Sequence, residues 1–172
     1  MKAPIAISPD GSLLAYAAED AEGSGVFLRS LDSFETRKLS GTEGADAPFF
    51  SPDGEWVGFF AAGKLQEVSV ERGAPLSIAQ APTGIGASWA ADDTIVFAPA
   101  FGAGLFRVSA DGGVAEQLTQ PDFAEAGYAH TWPDHLPGEQ KLLFNVGGKG
   151  AAVLNLETRD WHIVQQDSHG AR

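Results

Sequence analysis

The chain has 172 residues, 44% of them apolar, which is enough for one core that buries roughly 70% of the surface of the unfolded chain. Its 23 acidic against 11 basic side chains give a formal charge of −12 with no run of Lys or Arg, a balance that repels nucleic acid and anionic membranes. No apolar stretch approaches the ~20 residues of a membrane span, and the absence of cysteine excludes disulfides, Cys-ligated zinc and thiol catalysis while leaving the compartment open.

The opening MKAPIAISPDG has one Lys followed by strand-like residues and lacks an apolar signal core, so no export signal is read from it and a soluble protein is expected. From there short apolar strands alternate with Gly, Pro, Asp and Ser bends. SLLAYAA, from Ser12, is followed by VFLRSLDSF from Val26 and FETRKLSG from Phe34. The next group runs FFSPDGEWVGFFA from Phe49, LQEVSVERG from Leu65 and APLSIAQA from Ala74. Then come SWAADDTIVFAPA from Ser88, LFRVSADGG from Leu105 and VAEQLTQP from Val114. The last group is HTWPDHLPGEQKLLFNV from His130, AAVLNLETR from Ala151 and DWHIVQQ from Asp160. No 3.6-residue apolar period persists for twelve residues, so few helices are expected. VGGKGAA has the look of a phosphate loop but lacks its spacing and following helix, and Gly147, Gly148 and Gly150 are read as a hairpin turn.

The four groups are copies of one unit. SPDG at Ser8 and Ser51 aligns, with decay, to AADD at Ala90 and LPGE at Leu136, about forty residues apart each time. In the segments from Val26, Leu65, Leu105 and Ala151 the seventh position is acidic throughout: Asp32, Glu71, Asp111 and Glu157. Each ends an alternating strand, where a carboxylate is expected to accept a backbone hydrogen bond in the turn. Asp-Gly suits such bends because Gly takes positive φ at little cost and the preceding Pro presets the turn. Each unit therefore reads as a four-stranded antiparallel meander of blade size. The expected fold is an all-β propeller of four four-stranded blades, at about 1–42, 43–81, 82–124 and 125–172 of one domain. A β-sandwich with two similar turns by chance is the alternative, and the fourfold acidic column argues against it.

PFFSPDGEWVGFFAAGKLQEVSVERGAP, SWAADDTIVFAP, GLFRVSADGG and HTWPDHLPGEQKLLF resemble the WD40-like, TolB-type (PD40) propeller repeats. They are most similar to repeats that follow a Ser/Thr kinase domain and membrane segment in some bacterial proteins. The resemblance covers almost the whole chain. It implies a ring of about six or more blades, whereas four are encoded here with no kinase motif, so a segment of a larger parent is expected; DSHGAR ends where such repeats normally continue. A part-circle leaves the apolar faces of its first and last blades uncovered. A tight four-bladed ring, two chains paired into about eight blades, or burial against the rest of a parent would each cover them. Phe49, Phe50 and Trp89 are large for the hub of a four-bladed ring, and a homodimer is the favoured solution.

Propeller ligands and metals usually sit at the channel mouth. The approaches GTEGADAPFF, TGIGASW and GYAHTWPDH supply Glu43, Asp46, Tyr128, His130, Trp132, Asp134 and His135. An imidazole at His130, which the resemblance marks as a frequent feature before Trp-Pro, could bind a divalent metal, act as a general base, or hydrogen-bond across the hub, with Trp132 locking neighbouring blades. Asp46 and Glu43 are the expected co-ligands, and Tyr128, Trp132, Asp134 and His135 the expected rim. On one uninterrupted strand His130 and His135 would point to opposite faces. His162 and His169 are expected on solvated surface. Two functions stay open: a propeller scaffold binding a peptide, protein or small ligand, and a metal-dependent hydrolase of the phosphotriesterase, esterase or lactonase kind with His130 catalytic. A structural spacer in a sensor kinase is the third. Gly-x-Ser-x-Gly, His-Glu-x-x-His, Asp-x-Asp and Gly-Lys-Ser patterns are absent.

Overall fold

The computed structural model describes residues 5–21, 23–122, 129–138 and 140–166, which form sixteen strands and, among the described residues, no helix. The first sheet contains β1 (Ile5–Ile7), β2 (Leu13–Asp20), β3 (Gly23–Ser30) and β4 (Thr36–Lys38). The second contains β5 (Asp46–Phe50), β6 (Trp56–Ala61), β7 (Lys64–Ser69) and β8 (Leu76–Gln80). The third is β9 (Ala87–Trp89), β10 (Thr94–Phe97), β11 (Phe106–Ser109) and β12 (Glu116–Gln117), and the fourth β13 (His130–His135), β14 (Lys141–Val146), β15 (Gly150–Asn155) and β16 (Trp161–Gln166). Within each sheet the strands pair antiparallel in chain order. The first strands β1, β5, β9 and β13 touch one another in succession, which places them at the hub.

The repeated bend joins the first strand of each sheet to the second. Ser51 N–H donates to the Trp56 carbonyl at 3.0 Å, Trp56 N–H donates to Ser51 Oγ at 2.9 Å, and Ser51 Oγ donates to Asp53 at 2.5 Å. Asp53 also accepts the Glu55 N–H at 2.9 Å, so one short segment satisfies its own polar groups. Ser8, Asp10 and Ser12 repeat the arrangement in the first sheet, and Asp92 with Thr94 keeps part of it in the third. Gly11 and Gly54 take φ of 74° and 75°, the left-handed region this bend requires.

The acidic column works differently from the sequence expectation. Asp32, Glu71, Asp111 and Glu157 do lie in the turns between third and fourth strands, but they are exposed and, among the described residues, none of their carboxylates accepts a turn hydrogen bond. The residue two positions earlier makes the turn: Ser69, Ser109 and Asn155 accept the N–H of Glu71, Asp111 and Glu157.

Each pair of successive sheets encloses one apolar seam. Ala15, Val26 and Leu28 meet Phe50, Val57 and Phe59 in the first. In the second, Phe49, Phe60 and Leu65 meet Ile95, Phe97 and Val108, and Phe49 lies 6.4 Å from Trp89. The third brings Val96, Ala98 and Leu105 against Leu142, Phe144 and Leu154. Phe49, Phe50 and Trp89 thus fill seams between blades. The molecule is a partial propeller: among the described residues, substantial strand packing links only sheets that follow one another in the chain, and no described strand packs on the outer faces of the first and fourth sheets. On the first of these faces Ile5, Tyr16 and Phe27 are register neighbours beside Ile7 and Leu14. Tyr16 stacks on Phe27 at 5.7 Å, while Ile5 and Ile7 are 57% and 61% exposed. The fourth sheet presents Leu143, Val153 and the half-exposed Val164.

Two of the hub strands carry a bulge at matching places. The ladder shifts register between Asp46 and Phe49 in β5 and between Thr131 and Asp134 in β13. The bulged residues Ala47 and Trp132 take φ of 48° and 53°, each directly before a proline, Pro48 or Pro133. A bulge is where a strand tolerates a residue without an N–H.

Candidate functional site

The bulges shape a cavity of about 580 Å³ at the end where the hub strands begin. Its walls are the Phe60 and Trp132 rings, the Ala62–Gly63 hairpin tip and the 81–85 connection, with Asp46 and the 64%-exposed Phe101 at the margin. Gly84 and Gly86 let the chain lie against these rings: a Cβ at Gly84 would fall 2.0 Å from Phe60, and one at Gly86 2.7 Å from Trp132. The Trp132 N–H donates to the Ile85 carbonyl at 3.1 Å and ties the fourth sheet to this wall. Asp46 uses Oδ1 to accept the Ala47 N–H at 2.9 Å, which holds the bulge. The result is an apolar, aromatic-walled hollow with a carboxylate on one side, the usual composition of a ligand pocket.

Of the residues named from sequence, Asp46 and Trp132 line this cavity. Glu43 is exposed nearby in the chain, Asp134 is exposed on β13, and Tyr128 lies outside the described residues, as does His169. His162 is exposed on β16. His130 is 1% exposed and sits in the third seam, T-shaped against Phe144 at 5.0 Å and Trp161 at 5.1 Å. Thr119 Oγ1 accepts the Leu105 N–H at 2.9 Å and lies 2.8 Å from His130 Nδ1, to which its own proton is free to go. That arrangement leaves the hydrogen on Nε2, which has no oxygen or nitrogen partner. Burial pushes the imidazole down to about 4, so it is neutral at physiological pH. Among the described residues no three His, Asp or Glu side chains form a group able to hold a metal ion.

His135 departs from the opposite-face expectation because the strand is not uninterrupted. The bulge at Trp132 adds a residue and restores the parity, so His135 also faces the third sheet: Ser88 Oγ lies 2.9 Å from His135 Nδ1 and accepts its N–H at 3.0 Å. Burial lowers the His135 imidazole, and Asp92 and Asp134 oppose the shift.

Glu67 escaped the sequence reading. It is 9% exposed on β7, paired with Gly58 and Leu76, and lines a second cavity of about 250 Å³ at the turn end of the second seam. Burial, then Asp111 and Asp93, push its carboxyl up to about 7. A signal existed: the third position of the repeated segments reads Leu28, Glu67, Arg107 and Val153, of which the first three face the following blade and Val153 the open face of the fourth sheet.

No family model and no curated protein matches the chain. Solved structures do match. TolB from Acinetobacter baumannii superposes with a TM-score of 0.74 at 20% identity, over 95% of this chain and 43% of that one. A protein described as a TolB from Agrobacterium tumefaciens gives 0.76 at 18%, over 96% and 62%. An oligogalacturonate lyase in complex with manganese gives 0.70 at 15%, over 96% and 52%. The chain thus spans less than two thirds of each of these proteins, and at such identities the likeness is one of fold. That fold is a four-blade stretch of a TolB-like β-propeller.

Proposed function

We propose that the chain is a non-catalytic propeller scaffold that takes a peptide, protein segment or small ligand in the cavity between Phe60, Phe101 and Trp132. The observation that carries this reading is the pair of matching bulges at Ala47 and Trp132. Two non-glycine residues held at positive φ cost free energy, and both border the same hollow. The metal-dependent hydrolase gains no support from the described residues, since His130 is committed to Thr119 and the third seam. The likeness to repeats that follow a bacterial kinase domain makes a sensor segment the setting in which such a scaffold would serve.

The two outer sheet faces support a partner as well. In this reading a second copy covers Ile5, Ile7, Tyr16 and Phe27 of one chain with the Leu143 and Val153 face of the other. The ligand reading is tested by selecting a displayed heptapeptide library on the immobilised chain and repeating the selection on Phe101→Ala and Trp132→Ala. Sequences enriched on the parent and lost on both variants support it. Enrichment that the two substitutions leave unchanged, or none at all, contradicts it.

A further inference from the structure

Glu67 poses a problem that the scaffold reading does not use. A carboxylate at a core-facing position normally has a hydrogen-bond or ion-pair partner, because desolvating its charge is costly. Here nine-tenths of the residue is buried, yet among the described residues its carboxylate has neither a hydrogen-bond nor an ion-pair partner, and its oxygens are left to the cavity it lines. Its charged neighbours have the wrong sign: Asp93 and Asp111 raise its proton affinity further. The cavity that Glu67 lines is walled by the rings of Trp56 and Trp89 and rimmed by Asp53, Asp93 and Asp111. The indole N–H of Trp89 is also buried without an acceptor, a group that a partner's backbone carbonyl, rather than its cation, would satisfy. Asp93 itself sits at a φ of 59°, the left-handed region, at the mouth of this hollow.

We infer that this cavity is a recognition pocket for an Arg or Lys side chain of a partner polypeptide, with Glu67 as its deep anion and Trp56 and Trp89 as its aromatic walls. Carboxylates plus indole faces form the surroundings that a desolvated guanidinium or ammonium seeks. The volume, about 250 Å³, suits one long side chain. A polypeptide is the source because the negative surface continues beyond the cavity. Trp89 also walls an adjoining hollow lined by Asp92, His135 and Arg107, the last paired with Glu116, and Asp10, Asp53 and Asp92 occupy equivalent bends at this end of successive sheets. A segment carrying several cations matches that surface better than a single amine or ion. The site lies at the opposite end of the hub strands from the Asp46 and Trp132 cavity, so it stands whether or not that cavity takes a ligand.

The test follows the tryptophan indole resonances of the ¹⁵N-labelled chain, assigned with Trp56→Phe and Trp89→Phe, during titration with acetyl-Gly-Arg-Gly-amide. Saturable shifts of the Trp56 and Trp89 signals are expected, with affinity at least ten-fold weaker for the neutral citrulline peptide. Glu67→Gln should weaken binding of the Arg peptide by a similar factor, while the unmoved Trp132 and Trp161 signals show that the fold is intact. Between pH 5.5 and 8 affinity should rise as Glu67 ionises; Asp53, Asp93 and Asp111 are the other titratable groups facing the cavity. Equal binding of the Arg and citrulline peptides overturns the inference, as does unchanged affinity in Glu67→Gln. Free agmatine or calcium ion moving the same signals as strongly as the peptide would overturn the polypeptide assignment.

Discussion

The Thr119 hydroxyl and Nδ1 of His130 stand 2.8 Å apart, and through them the segment leaving β12 is fastened to the first residue of β13. The burial of His130 fixes the sign of a pH effect. Burial lowers the folded-state pKa of His130 from 6.5 to about 4, so between these values the unfolded chain binds the extra proton. Stability therefore rises with pH across that window and is lost as pH falls through it, by on the order of 3 kcal/mol in total. His135 adds in the same direction. Because Glu67 acts in the opposite direction over nearly the same window, urea denaturation from pH 4 to 7 should show this slope in a Glu67→Gln background. His130→Asn should reduce the slope and lower stability at pH 7 by about 2 kcal/mol, through the lost packing on Phe144 and Trp161.

Glu67 gives the opposite sign. Its folded pKa is raised from 4.5 to about 7, so the folded chain holds the extra proton between these values and stability falls as pH rises. Glu67→Gln removes the penalty. It should raise the melting temperature at pH 8 by a few degrees, on the order of 2 kcal/mol, and leave it nearly unchanged at pH 4. A variant that gains stability while losing affinity for a basic peptide is the signature of a residue retained for binding.

In the Ser51 bend, buried and exposed groups separate by cost. Ser51 is 2% exposed and serves both the Trp56 N–H and Asp53, whereas Asp53 is solvated. Ser51→Ala should cost about 2 kcal/mol and Asp53→Ala about 1 kcal/mol or less. Thermal melts of the two variants rank them. Asp53→Ala costing more than Ser51→Ala would refute the description of the bend.

Gly86 has a φ of 84° and lies against the Trp132 ring. Gly86→Ala combines a left-handed alanine with a Cβ 2.7 Å from Trp132 and 3.0 Å from its Cα, so the ring must leave its place. About 2 kcal/mol of stability should go, with a shift of the Trp132 indole signal and loss of any peptide selected on the parent cavity.

The blades could be read from sequence because their determinants are local. The Ser-Pro-Asp-Gly bends satisfy their own hydrogen bonds within six residues, and alternation within each strand sets its two faces. The site depends on non-local geometry. His130 looked available from its place in the GYAHTWPDH approach, but Thr119, Phe144 and Trp161 converge on it from two other strands and from the segment after β12. The faces of His130 and His135 followed from strict alternation until a bulge at Trp132, invisible to period counting, shifted the parity. Glu67 was legible only as a member of the third-position column; that its carboxylate is buried emerges only when the third sheet closes over it.

The account rests on an open row of four blades whose end faces need cover, and mass in solution tests this most directly. Sedimentation velocity should give a species of twice the 18.0 kDa chain mass, dissociated by Ile7→Asp, which places a charge on the exposed face of the first sheet. A single stable species of 18.0 kDa, unaffected by that substitution, would contradict it.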